Sequence, residues 1–138
     1  MNTFIDTAAL LAVLNAKDIF HRQARDAWNV LLSSNTVVTT SNYVLIETIA
    51  LLQHRYGTEA VRLLKSDILP VLDIFWIDEA IHQQGLSAML AANRRQLSLV
   101  DCTSFEIMRQ RGLDIVFTFD PHFIEQGFTL FPESKSSV

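Results

Sequence analysis

Four acidic residues stand where carboxylates are costly: Asp6 in "TFIDTAAL", Glu47 in "YVLIETIALL", Asp101 in "LSLVDCTSF" and Asp120 in "VFTFDPHF". An ionised carboxylate among apolar neighbours is expensive to bury unless it meets solvent, a cation or a metal. Three of the four also have a structural reading. Asp6 and Asp120 each follow a β-rich run and precede a helical one, so both suit a helix N-cap, with Pro121 a natural first helical residue. Asp101 lies three residues after Ser98, the spacing of a capping box. Glu47 is different. It falls mid-helix among Val44, Leu45, Ile46, Ile49, Leu51 and Leu52, with only Thr48 and Gln53 to suggest a solvated face. If the four meet in one pocket, mutual repulsion raises their pKa values unless a cation neutralises them. An all-oxygen donor set favours Mg2+ or Mn2+ over Zn2+. Such ions act best on phosphoryl oxygens.

The elements that must position these acids alternate along the chain. Residues 2–5, 36–40, 114–119 and 128–131 read as strands, and 71–77 as a strand or extended connector. Residues 7–15, 20–33, 41–57, 58–69, 78–92 and 100–111 read as helices, with a helical turn at 121–126. Gly57 and Gly112 close two of these helices, and Pro70 follows a third. Strands alternating with helices predict an α/β fold whose mostly parallel sheet carries helices on both faces. In such sheets ligands bind beyond the carboxyl ends of the strands. Asp6 and Asp120 both sit at such ends.

With 138 residues, 49% of them hydrophobic, the chain suffices for one domain with a real core. Its longest apolar runs fall well short of the roughly 20 residues that span a membrane. The first residues lack the basic segment of a signal peptide. The single cysteine, Cys102, excludes an internal disulfide framework and fits a reducing cytosol. A net charge of −4 argues mildly against a nucleic-acid partner, but binding uses a local patch rather than the average surface.

The blocks "FIDTAALLAVLN", "SNYVLIETIALL", "LSLVDCTSFEIM" and "VFTFDPHF", in this order and at these spacings, resemble the four motif blocks of PIN-domain ribonucleases. More narrowly, they resemble the VapC-type toxins of VapBC toxin–antitoxin pairs, over residues 3 to 132. The resemblance implies a PIN-like three-layer α/β fold with a central, mostly parallel sheet of four to five strands. It implies one domain over residues 1–132 and a flexible tail over 133–138. The implied activity is metal-dependent endoribonuclease, hydrolysing RNA phosphodiester bonds by a metal-activated water and leaving a 3′-hydroxyl and a 5′-phosphate. Asp6, Asp101 and Asp120 would bind Mg2+ or Mn2+, and Glu47 would help hold the metal or orient the water. Thr118, and with it Thr7, would steady carboxylates or water. Arg94, Arg95 and Arg55 are the candidate RNA contacts. Each has a plain reading as solvated surface, and Arg94 and Arg95 also suit the carbonyl end of a helix. The resemblance further implies a cognate antitoxin, a homodimer, a cytoplasmic location and no membrane association.

Phe20, Trp28 and Leu32 are candidates to line a groove for the antitoxin tail, core packing being the plainer alternative. Cys102 reads as a small buried thiol, since no histidine pairs with it. His21, His54, His82 and His122 show no zinc spacing. A dehalogenase-like phosphoryl-transfer domain would also put an acid after the first strand, but it wants a second one at position 8, where this chain has alanine. The alternative from another class is a non-catalytic PIN-like module that binds RNA or protein. Four clustered acids would serve no physical need there.

Overall fold

The computed structural model describes residues 1–133, so all but the first residue of the expected tail lies outside the described residues. Five strands, β1 (Thr3–Ile5), β2 (Val38–Ser41), β3 (Leu72–Phe75), β4 (Ile115–Phe117) and β5 (Thr129–Phe131), form one sheet in the order β3-β2-β1-β4-β5. Every neighbouring pair is parallel. Parallel neighbours need crossovers, and seven helices supply them. Helices α1 (Thr7–Leu14) and α2 (His21–Ser33) join β1 to β2, and α3 (Asn42–Tyr56) and α4 (Thr58–Leu63) join β2 to β3. Helices α5 (Glu79–Ala92) and α6 (Leu99–Arg111) return the chain to β4, and α7 (His122–Glu125) leads to β5. The chain steps outward one way through β2 and β3, then the other way through β4 and β5. Right-handed crossovers therefore place the two sets of helices on opposite faces. The direction reverses between β1 and β4, which opens a crevice beyond their carboxyl ends.

Burial on both faces explains the continuous apolar character of the central strands. Phe4, Ile5, Val116 and Phe117 are wholly buried. Trp28, expected at a groove, is only 3% exposed and belongs to this core, whereas Phe20 and Leu32 do reach the surface. Thr48, expected to mark a solvated face, is buried and donates to Val44 O at 2.7 Å. The helix expected over 58–69 is broken. After α4 the chain widens into a π turn, Leu64–Ile68, and tightens into a 3-10 turn, Leu69–Val71. Pro70 has no N–H to continue an α-helical ladder, and the π turn lets both Leu64 and Ile68 enter the core. Among the described residues no helix is long and apolar enough to cross a membrane.

Candidate active site

Asp6 directly follows β1, and its backbone N–H extends the pairing with β4 by donating to Phe117 O at 3.3 Å. The side chain then caps α1: Oδ1 accepts from Ala9 N at 3.3 Å. Oδ2 accepts from Thr118 Oγ1 at 2.8 Å. That hydroxyl also accepts from Asp120 N at 3.0 Å. One buried threonine thus joins the carboxylate after β1 to the backbone of the acid that follows β4. Asp120 Oδ1 accepts from His122 N at 2.9 Å, turning the chain into α7. Asp101 occupies the third position of α6 and completes the capping box: its Oδ2 accepts from Ser98 N at 3.0 Å, and its N–H donates to Ser98 Oγ at 3.1 Å. Glu47 is half-buried in the second turn of α3. The cap readings of Asp6 and Asp101 are therefore correct, and they coexist with clustering.

Electrostatics bring the four acids into one field. Burial pushes the Asp6 carboxyl up from 3.8 to about 7; the bonds from Thr118 and Ala9 oppose this, and the charges of Asp120 and Asp101 reinforce it. Burial likewise raises Asp101, opposed by its bond from Ser98 N and reinforced by Asp120 and Glu47. Among the described residues no three His, Cys, Asp or Glu side chains stand close enough for all to touch one ion directly, so an ion among these acids would be met partly through water. Like charges repel, and Asp6, Asp101 and Asp120 each commit an oxygen to a backbone or hydroxyl donor. Asp101 Oδ1 and Asp120 Oδ2 accept no hydrogen bond among the described residues. An all-carboxylate set with such open oxygens suits a hard divalent cation.

The supporting residues divide. Thr118 bridges Asp6 and Asp120 as described. Thr7 is buried beside Asp6, and its Oγ1 has no partner among the described residues. Arg94 is engaged elsewhere, 2.8 Å from Glu125 of α7, while Arg95 and Arg55 are exposed. Cys102 is buried, and burial raises its thiol, as expected of an inert side chain. His122 had no sequence signal strong enough to single it out, whereas Phe20 was already a candidate to line a groove. His122 Nδ1 lies 2.7 Å from Asp120 Oδ1, at an angle that makes no hydrogen bond. A groove of about 630 Å³ also runs along α2 beside Thr118. Phe20 and Phe119 wall it as a parallel stack with centroids 4.5 Å apart, and Asp26 and Glu133 lie among its lining residues. The position of Phe119 between Thr118 and Asp120 was the available hint.

A model of the PIN domain family matches residues 3–128. The chain is 34% identical over 126 residues to the 23S rRNA-specific endonuclease VapC20 of two Mycobacterium tuberculosis strains, a match that spans 91% of this chain and 94% of that protein. The crystal structure of Mycobacterium tuberculosis VapC20, described as a Sarcin-Ricin loop cleaving toxin, is similar with a TM-score of 0.82 at 32% identity, covering 93% of this chain and 97% of that one. FitAcB from Neisseria gonorrhoeae shares the fold at 20% identity, with a TM-score of 0.65 and coverage of 94% and 96%.

Proposed function

The chain belongs to the PIN-domain family, and from that premise we propose that it is a metal-dependent endoribonuclease, the toxin of a toxin–antitoxin pair. The observation that carries this reading is the Asp6 carboxyl, buried beyond β1, held by Thr118 and pressed upward by the charges of Asp120 and Asp101. Such crowding of acids costs stability and repays it only in the company of a cation. Asp6, Asp101 and Asp120 would hold the ion, Mg2+ or Mn2+, with Glu47 beside Asp101. A divalent cation there supplies Lewis-acid polarisation of a phosphoryl oxygen and lowers the pKa of water. The role we give Glu47 is to orient the attacking water, and what supports it is its charge acting on Asp101. Thr118 fixes the Asp6 Oδ2 lone pair that it bonds, and Thr7 offers a further buried hydroxyl. VapC20 is described as acting on 23S rRNA, so an rRNA hairpin loop is the first substrate to try. Arg95 and Arg55 are the basic residues we assign to RNA.

The partners follow the same reading. The apolar groove with acidic residues among its lining supports an antitoxin segment that is itself apolar and basic, covering the site from the Thr118 side. Ile46 on α3 and Leu90 on α5, both well exposed, support a second copy as homodimer partner. One domain over 1–132, acting in the cytoplasm where its RNA is found, completes the proposal.

The test is cleavage of an rRNA-derived hairpin with Mg2+ or Mn2+, with EDTA, and by Asp101→Asn protein purified identically. Cutting should require both the ion and Asp101. In parallel, Mn2+ at about 100 times its Kd should stabilise the wild-type fold by about 2.7 kcal/mol and leave Asp101→Asn nearly unmoved. An intact fold that neither cuts RNA nor gains stability from the ion would instead support the non-catalytic binding module.

A further inference from the structure

Exposed apolar side chains scattered over a surface are ordinary, but Trp76 is set apart by its position. It is 70% exposed and directly follows β3. Among the described residues it is the one exposed large apolar side chain that directly follows a strand, so it stands on the sheet edge that also carries Asp6 and Asp120. The strand register fixes how far away. Phe4 pairs with Thr39, which sets Asp6 level with Ser41, and Ser41 pairs with Phe75. Trp76 is therefore one residue beyond that level and two strands across, about 10 Å from Asp6. The segment is pinned: Ile77 N donates to Asn42 Oδ1 at 2.8 Å, at the start of the helix that carries Glu47. A Tyr43–His82 hydrogen bond joins that helix to α5, into which the segment leads.

We propose that Trp76 is a base-stacking subsite: its indole takes the face of an unpaired nucleobase of the RNA, on the order of one or two nucleotides from the phosphate that a cation among the acids would meet. This rests on the ribonuclease reading above. Unpaired bases of loops are bound by stacking on aromatic rings. Every base has a π face, so such a contact adds affinity without choosing sequence and without a cation. That suits a chain of net charge −4.

The chain's only other tryptophan, Trp28, is 3% exposed in the core. Emission that responds to a ligand at the surface therefore reports Trp76. The full chain in EDTA is titrated with a single-stranded hexaribonucleotide and with an abasic sugar-phosphate strand of the same length. The hexaribonucleotide should quench Trp76 and the abasic strand should not. Trp76→Ala should raise Kd and KM roughly tenfold with kcat little changed, the size expected for one stacked base, and Trp76→Tyr should recover most of the loss. If Trp76→Ala fails to fold, the contrast between the two strands on the wild-type protein decides alone. Wild-type protein that cuts RNA while its emission ignores the bases, or a folded Trp76→Ala with unchanged KM, overturns the subsite and leaves the ribonuclease intact. So does a Trp76→Ala protein that turns monomeric with RNA affinity unchanged, since the indole would then face a second copy. Wild-type protein that neither binds nor cuts RNA overturns both readings.

Discussion

The Asp6 carboxyl, 7% exposed and raised to about 7, links folding to protons. Between pH 3.8 and about 7 the folded protein keeps a proton that the unfolded chain has released. Its contribution is complete below the ordinary value and is lost as pH rises through the folded one, so stability falls across that window. A rise of this size bounds the change at about 4 kcal/mol, and the raised Asp101 acts with the same sign. Urea unfolding in EDTA should therefore give a wild-type protein that is less stable at pH 8 than at pH 5. Asp6→Asn should flatten most of that slope and be the more stable of the two at pH 8. An unchanged slope would assign the linkage to another group. The residue types behind this behaviour were legible, because Asp6 and Asp101 each matched a cap, and both caps form. What the chain could not disclose was how deep Asp6 lies, or that one hydroxyl of Thr118 serves both Asp6 and Asp120. Those are distances between strands that are far apart in sequence.

At the scale of elements, α6 carries Asp101 and is set by its packing on α5. Gly85 makes the close approach possible: a Cβ there would collide with Thr103 Cγ2 and stand 3.3 Å from the Thr103 backbone N. Gly85→Ala should gain about 1 kcal/mol of helix propensity and lose about 1 to 3 kcal/mol to overpacking. We expect a net loss of stability, with α6 displaced and cleavage reduced. Thr103→Ser removes the colliding methyl and keeps the hydroxyl that bonds Leu99 O, so the double variant should regain most of both. Thermal melts and cleavage rates of the four proteins form the cycle that checks this; losses that simply add would place the strain elsewhere. Helix periodicity and caps made α5 and α6 readable as elements. The mid-helix glycine was visible too, but its purpose was not, since it depends on a partner 18 residues on. The same limit explains 58–69, where Pro70 was seen and the π turn that buries Leu64 and Ile68 was not.

For the whole molecule, the order in which the chain adds parallel strands reverses between β1 and β4, and the two strands on either side of that reversal are each followed by an acid, Asp6 and Asp120. The strand–helix alternation made the architecture legible. The strand order and the fate of the basic residues were not, because both are settled by tertiary contacts. Arg94 is paired with Glu125 and Arg111 lies 3.8 Å from Asp73. Arg109 bonds Gln126 and lies over Phe128. Arg62 is paired with Glu59 at 3.2 Å, and the remaining cations among the described residues are dispersed: Lys17, Arg22 and Arg25 near α2, Arg55 at the end of α3, Lys65 in the π turn and Arg95 before α6. A surface of this kind can neutralise few phosphates at once. Each phosphate contact to a single strand contributes about −0.7 to the slope of log K against log salt. With two or three contacts, binding of a single-stranded RNA should fall with a slope near −2, far shallower than that of a basic nucleic-acid binder. Fluorescence anisotropy in EDTA between 50 and 300 mM salt measures it. A slope near −2 would mean that affinity comes chiefly from stacking rather than from neutralised phosphates. A slope of −5 or steeper would require a continuous basic track, formed only when two copies of the chain align their separate cations.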